Sequence, residues 1–415
     1  TGNNNAGIDV SGSTVTTQGG GNASVNLTGT GGGTGAGMLN VGVLISSAGT
    51  VTTGGTGGVN ITGQGGTGST GINNYGVSIK GVNAGSLTTV TSGGGNVSIT
   101  GTGGGASSNF NNGVTGTFGL ITAGGTGNVL ITGTGGVGAT SGTNNGVNLQ
   151  TSITVTSGGG AVTVVGTGGG GSGGVNMSVN ALITSGGGNV SVTGTAGGTV
   201  TSTNGNTGIV LGLTNSVISA GGSGTVTVSG TGNNNPGINI TAHNALPTFS
   251  GITSTTCAVF VTAATNATTQ AALKLAGGTT VLAKIASGAN APVTITTDSL
   301  SMTANDSISA GSGTVTLRNR TAGTLINLGG ADVLSGSPLT LGLTDTELDR
   351  ITADTLVIGR TGATASGTVT VSSSISAALA KNLTVQGGGD IVVNASQSIT
   401  TLTNGNLLLN ADSDG

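Results

Sequence analysis

The sequence predicts an all-β chain, a parallel β-helix or solenoid with three short strands per coil. Two observations predict it. A short strand-like stretch with a fixed glycine stop, typified by Gly95-Asn96-Val97-Ser98-Ile99-Thr100-Gly101, occurs seven times in the first 232 residues. Its stop glycines, Gly29, Gly63, Gly101, Gly133, Gly166, Gly194 and Gly230, lie 34, 38, 32, 33, 28 and 36 residues apart, the near-constant period of a repeat architecture. Within each piece, β-branched apolar residues alternate with Ser, Thr or Asn, the period-two pattern of a strand with one buried face.

Composition sets the kind of core. A disordered Gly/Ser/Thr tract would need low hydropathy or high net charge, but mean hydropathy is +0.27 and net charge only −3. With no Trp, one Tyr and four Phe, burial has to come from small β-branched side chains stacked on one another. A unit of roughly 33 residues is too short for a β-sandwich, which takes about 100. Units lying over one another at about 4.8 Å are therefore expected, and seven of them make a rod of about 34 Å. Weak acidity gives no footprint for nucleic acid. No apolar run approaches the roughly 18 residues of a membrane helix, and no signal segment opens the chain. Both ends break off in mid-pattern, so the chain is expected to be a piece of something longer, with any export signal or anchor outside it.

Residues 1–236 carry the regular repeat. The first strand of each unit follows an Asn-rich turn, as in Asn4-Asn5-Ala6-Gly7-Ile8-Asp9-Val10 and Asn144-Asn145-Gly146-Val147-Asn148-Leu149. The second is a Val/Ile-Thr run such as Thr14-Val15-Thr16-Thr17. The third ends on the stop glycine. Asparagines are expected to stack on asparagines at the turns, and glycine is expected there because turns need positive φ. Asp9 and Lys80, the only charges before Lys274, fall on the outward positions, as the cost of burying charge requires.

Residues 237–415 are expected to be a less regular, narrower solenoid that continues the rod. All four Pro, His243, Cys257 and nearly all charges lie from Pro236 onward, and strand signals such as Val293-Thr294-Ile295-Thr296 and Thr314-Val315-Thr316-Leu317 come at shorter, uneven spacing. Thr344 and Glu347 have capping-box spacing, with Leu348 and Ile351 on one edge, so a short helical turn is expected there. Residues 268–288 read equally as strand or short helix.

The run Leu343-Thr344-Asp345-Thr346-Glu347-Leu348-Asp349-Arg350-Ile351-Thr352, with Thr355-Leu356-Val357-Ile358-Gly359, resembles a recurring element of very large bacterial surface proteins of the filamentous haemagglutinin type. Gly389-Asp390-Ile391-Val392-Val393 and Gly405-Asn406-Leu407-Leu408-Leu409 are similar to their strand repeats. The resemblance covers residues 237–415 best; the longer unit of the first part departs from the haemagglutinin coil. It implies an exported right-handed β-helix at the cell exterior, working in adhesion or as a fibre, and it carries over no catalytic residues.

The search for chemistry returns little. Glycoside hydrolysis needs two carboxylates about 5 to 10 Å apart, and Asp9 is the only one before Asp298. Asp345, Glu347, Asp349 and Asp354 cluster around Arg350, and a solvated helical turn with local ion pairs is the expected arrangement. Gly329-Gly330-Ala331-Asp332-Val333-Leu334 is similar to a calcium-binding repeat, but it occurs once. Asp412 and Asp414 are weak calcium candidates. Cys257 reads as a small buried hydrophobe and His243 as a loop residue. Asn22, Asn60, Asn96, Asn189, Asn266 and Asn382 stand in glycosylation sequons that alternating strands generate by chance. Thr-x-Thr pairs such as Thr14 and Thr16 could face ice only as a flat ladder, which the irregular unit lengths argue against. The expected function is thus a structural or adhesive segment of an extracellular, cell-surface protein, forming a stalk, fibre or coat. No catalytic, metal or cofactor-binding residues are expected. The expected partners are neighbouring copies, end to end, and a host surface or polysaccharide; a carbohydrate-active or carbohydrate-binding β-helix is the alternative.

Overall fold

The computed structural model describes residues 2–17, 19–105, 109–137, 143–198, 206–242, 249–278 and 282–411. The chain is a parallel β-solenoid. First strands of successive coils form a ten-stranded parallel sheet from Ile8–Ser11 to Leu300–Met302. Second and third strands build two further stacks, which join where the long strand Ile351–Ile358 pairs with Ser307–Ser309 and with Thr314–Arg318. Stacking does not stop at seven coils. Among the described residues, thirteen third strands follow one another from Val25–Thr30 to Leu407–Asn410. At about 4.8 Å per step, that stack is about 58 Å long.

Register makes the core. Each coil sets its inward aliphatics on those of the coil below, so valine occupies one row unbroken from Val25 to Val315. All these valines are buried, and each contributes on the order of 1.5–3 kcal/mol. Val97 and Ile99 point inward, while Asn96, Thr100, Asp9 and Lys80 are exposed.

The turn before each first strand is closed by a buried ladder of side-chain amides. Asn40, Asn74 and Asn111 are fully buried. The backbone N–H of Asn40 donates to Asn74 Oδ1 at 3.0 Å, that of Asn74 to Asn111 Oδ1 at 2.8 Å, and that of Asn111 to Asn144 Oδ1 at 2.9 Å. Asparagine recurs here because its side chain replaces the strand ladder where the backbone turns away from it. Asn111→Ala is expected to cost about 1–3 kcal/mol, since it strands the buried Asn74 amide. An unchanged urea midpoint would show that the ladder does not hold the corner.

Positive φ occurs at turn glycines such as Gly12, Gly33, Gly105 and Gly125, as expected, but the stop glycines have a different cause. None of the seven has a positive φ, which besides the turn glycines falls on Asn4, Leu39, Asn73, Phe110 and other non-glycine turn residues. The seven are needed because the chain leaving the third strand crosses the chain entering the next first strand. A Cβ on Gly133 would stand 2.6 Å from the Gly146 carbonyl carbon and 2.8 Å from Val147 Cγ2, and one on Gly146 would meet the Gly166 carbonyl carbon at 2.7 Å. Both chains at this crossing are glycine from Gly29 and Gly42 to Gly230 and Gly237. One coil later, Ala263 registers on Gly230 and Ala272 follows Gly237. The ladders themselves cross residues 236/237 without interruption, through Ile209↔Ile238 and Val226↔Val259.

Beyond Arg318 the coil changes form. Registered residues step from Val293 to Val315, then to Leu356, Leu383 and Leu407. These steps hold a reordered sheet, Thr340–Leu343, Leu325–Leu328, Val369–Val371, Ile391–Val393, its first two strands both in the longest step, in which an earlier strand lies between two later ones. Between it and Ile351–Ile358 comes one helical turn, α1 (Asp345–Leu348), with the expected capping box between Thr344 and Glu347. The ambiguous stretch 268–288 resolves as two strands, Leu273–Ala276 and Leu282–Ser287, with no helix among its described residues.

Candidate binding groove

The acidic cluster of α1 does not form the expected ion pairs. Its carboxylates take the place of strand partners. Glu347 accepts from Met302 N at 3.2 Å in the coil below and from Thr344 N at 3.1 Å. Asp345 accepts from Ser376 N and Asp349 from Ala378 N at 3.1 Å, both in the coil above. Arg350 donates through Nη1 to the Met302 carbonyl at 2.9 Å. A helix turn cannot continue a β-ladder, and these side chains fill the gap in backbone pairing.

Asp332, in the calcium-like stretch, does the same. Its Oδ2 accepts from Leu300 N at 3.0 Å and its Oδ1 from Gly342 N at 2.8 Å. One carboxylate thereby links the last strand of the ten-stranded sheet to the first of the reordered sheet. Burial pushes its pKa up to about 7, with a smaller push from the Glu347 charge, against the two backbone N–H bonds. Asp298 and Asp306 are buried and likewise bind backbone: Asp298 Oδ1 accepts from Arg320 N and Thr321 N, both at 2.8 Å, and Asp306 Oδ1 from Gly277 N at 2.8 Å. Among the described residues, no three His, Cys, Asp or Glu side chains converge to hold a metal ion. Cys257 is a half-exposed turn residue, not a core one; its Sγ donates to the Ser223 carbonyl at 3.1 Å. His243, Asp412 and Asp414 lie outside the described residues.

The threonine array is in better register than unit lengths imply, because extra residues are absorbed in the turns. Thr16, Thr52, Thr91, Thr122 and Thr156 form one unbroken outward row. The companion row from Thr14, Thr50 and Thr89 is interrupted by Leu120 and Leu182.

A site that sequence reading missed lies on the outer face of the ten-stranded sheet. It is a groove of about 900 Å³ crossing the first five coils, from Asn4 and Asp9 to Asn148 and Gln150. Its floor is two outward rows of that sheet, Asp9, Leu44, Ser78, Thr115, Asn148 and, two residues on, Ser46, Lys80, Thr117, Gln150. One wall is the corner that carries Asn4, Leu39, Asn73 and Phe110, with Tyr75 beside it. The Tyr75 hydroxyl donates to Asn73 Oδ1 at 2.8 Å, and burial raises its pKa.

One feature sets this groove apart. Both charges that precede Lys274, and two of the three aromatics that precede Phe249, line it. The corner residues share a left-handed backbone, with φ of 59° at Asn4, 58° at Leu39, 63° at Asn73 and 60° at Phe110, a conformation that Phe118, Val179 and Leu213 also adopt outside the groove. Asparagine tolerates that conformation; other side chains meet a cost of roughly 1–2 kcal/mol. Leu39 and Phe110 bear this cost while 42% and 46% exposed, so packing within the chain covers them only in part. Strain of this kind gathers at functional sites. The lining residues come from five successive coils, so no contiguous motif marks the site; the signal available in sequence was the scarcity of Asp9, Lys80, Tyr75 and Phe110. Comparison with protein-family models, with curated proteins and with solved structures finds no match for this chain, which leaves the groove's own chemistry as the ground for assigning a function.

Proposed function

We propose that the chain is a structural and adhesive segment of an extracellular, cell-surface protein, a stiff stalk or fibre whose outer faces make the contacts. One observation carries this reading: a single aliphatic core runs from Val10 to Val385, while the carboxylates of Asp298, Asp306, Asp332, Asp345, Glu347 and Asp349 are engaged in holding backbone. A continuous core without hinges makes a rod. The resemblance of residues 343–359 to giant bacterial surface proteins supports the same reading, and eight Lys and Arg in 415 residues leave few sites for trypsin-like proteases. Association with neighbouring copies belongs to it as well. Electron microscopy of the purified chain should show rods no shorter than about 58 Å, and antibody should label intact producing cells. Label that appears only after permeabilisation would defeat the surface assignment.

The groove favours a second reading, carbohydrate binding, over carbohydrate cleavage. Asp345, Glu347 and Asp349 hold backbone amides, and Asp354 accepts from Asn382 Nδ2 at 3.1 Å. None of them lines the groove.

A further inference from the structure

We propose that the groove on the ten-stranded sheet binds a neutral, extended polysaccharide laid along the solenoid axis. This deepens the adhesive half of the proposed function and rests on it. Three properties select the ligand.

The first is what the floor lacks. It is the face of a sheet, and from Val43–Ser46 to Val147–Gln150 its backbone N–H and C=O groups are engaged in the parallel ladders on either side. A peptide strand recognised by backbone pairing needs an open edge, and among the described residues the groove meets one only at its end, on the outer side of Ile8–Ser11, not along its floor. Recognition has to come from side chains, which repeat at about 4.8 Å along the axis. A polymer of short, regular repeat can meet several coils in turn.

The second is charge. Asp9 and Lys80 are the groove's only charged residues and are opposite in sign. Its remaining polar groups are hydroxyls and amides such as Ser78, Thr117 and Gln150. A polyanion would meet Asp9 without a basic track to follow, and a polycation would meet Lys80. A neutral chain rich in hydroxyls finds donors and acceptors along the whole floor.

The third is the wall. Leu39, Tyr75 and Phe110 offer apolar faces beside this polar floor. A sugar ring has the matching two-sided character, with C–H groups on its faces and hydroxyls at its rim. Leu39 and Phe110 keep these faces exposed where Asn4 and Asn73 show that a less strained residue fits.

The test is calorimetric titration of the 415-residue chain with cellohexaose, maltohexaose, laminarihexaose and chitohexaose, and with hexagalacturonate as the charged comparator. At least one neutral hexasaccharide should bind, with an affinity unchanged by added salt. Phe110→Asn and Leu39→Asn should each weaken it by roughly tenfold or more, while Tm stays level or rises because asparagine suits the left-handed backbone. A weakened but equally stable variant separates ligand loss from misfolding. Binding by no neutral hexasaccharide, binding that survives both substitutions, or binding confined to hexagalacturonate and abolished by salt would each overturn the proposal. These outcomes bear on the groove alone; rod formation and surface labelling judge the scaffold.

Discussion

Gly133→Ala is expected to cost roughly 3 kcal/mol or more, while Gly187→Ala changes stability by about 0.5 kcal/mol or less. Both add a single methyl group to a glycine with φ outside the left-handed region. The difference is what the methyl meets. At Gly133 it lies within 2.6 Å of the Gly146 backbone and 2.8 Å of Val147 Cγ2; at Gly187 nothing stands within 4 Å. Backbone cannot rotate away as a side chain can, so the two crossing segments must separate. That separation would strain Val129↔Val162 and Val147↔Val175 together, because one crossing serves both the third and the first sheet. Urea midpoints of the two variants decide the matter. Near-equal midpoints would mean that the crossing is looser than these distances require. In a solenoid the damage should stay local, with amide exchange accelerating around residues 129–167 before it does in distant coils.

This crossing is also why so much of the fold was legible. It recurs in each of the regular coils, so its glycine recurs in the sequence at the coil's own period. The alternation of Val97, Ser98, Ile99 and Thr100 marked which face is buried, and Asn74 and Asn111 marked the corners. What could not be read is where neighbouring coils differ. Leu325–Leu328 lies between Thr340–Leu343 and Val369–Val371, an order that strand propensity does not encode, since each of these strands looks alike on its own. The carboxylates of α1 looked like a solvated cluster because sequence shows charge but not the unpaired amides of Met302, Ser376 and Ala378. The groove was hidden for a related reason: Asp9, Leu39, Tyr75 and Phe110 converge only once register is known.

At the junction of the two sheets, stability is expected to fall as pH rises from about 4 to about 7, through Asp332. Its pKa is about 7 in the folded chain against the 3.8 of a free aspartate side chain. Between these values the folded chain holds a proton that the unfolded chain has released, so each step up in pH favours unfolding. The contribution is fully present below pH 3.8 and gone above about pH 7; at about 1.4 kcal/mol per pKa unit it amounts to about 4 kcal/mol. The physical origin is a carboxyl group drawn between two strand ends. Leu300 N and Gly342 N both need its oxygens, but burial and the Glu347 charge oppose ionisation there. Asp332→Asn keeps an acceptor and removes the titration. Its amide should give a flat profile, below the parent chain in acid, where the neutral carboxyl loses nothing, and above it past neutrality. Hydrogen exchange at Leu300 and Gly342, followed across that range in both proteins, reads the effect where it arises. Parallel profiles for the two would assign the pH response to other groups and leave Asp332 as a plain backbone acceptor.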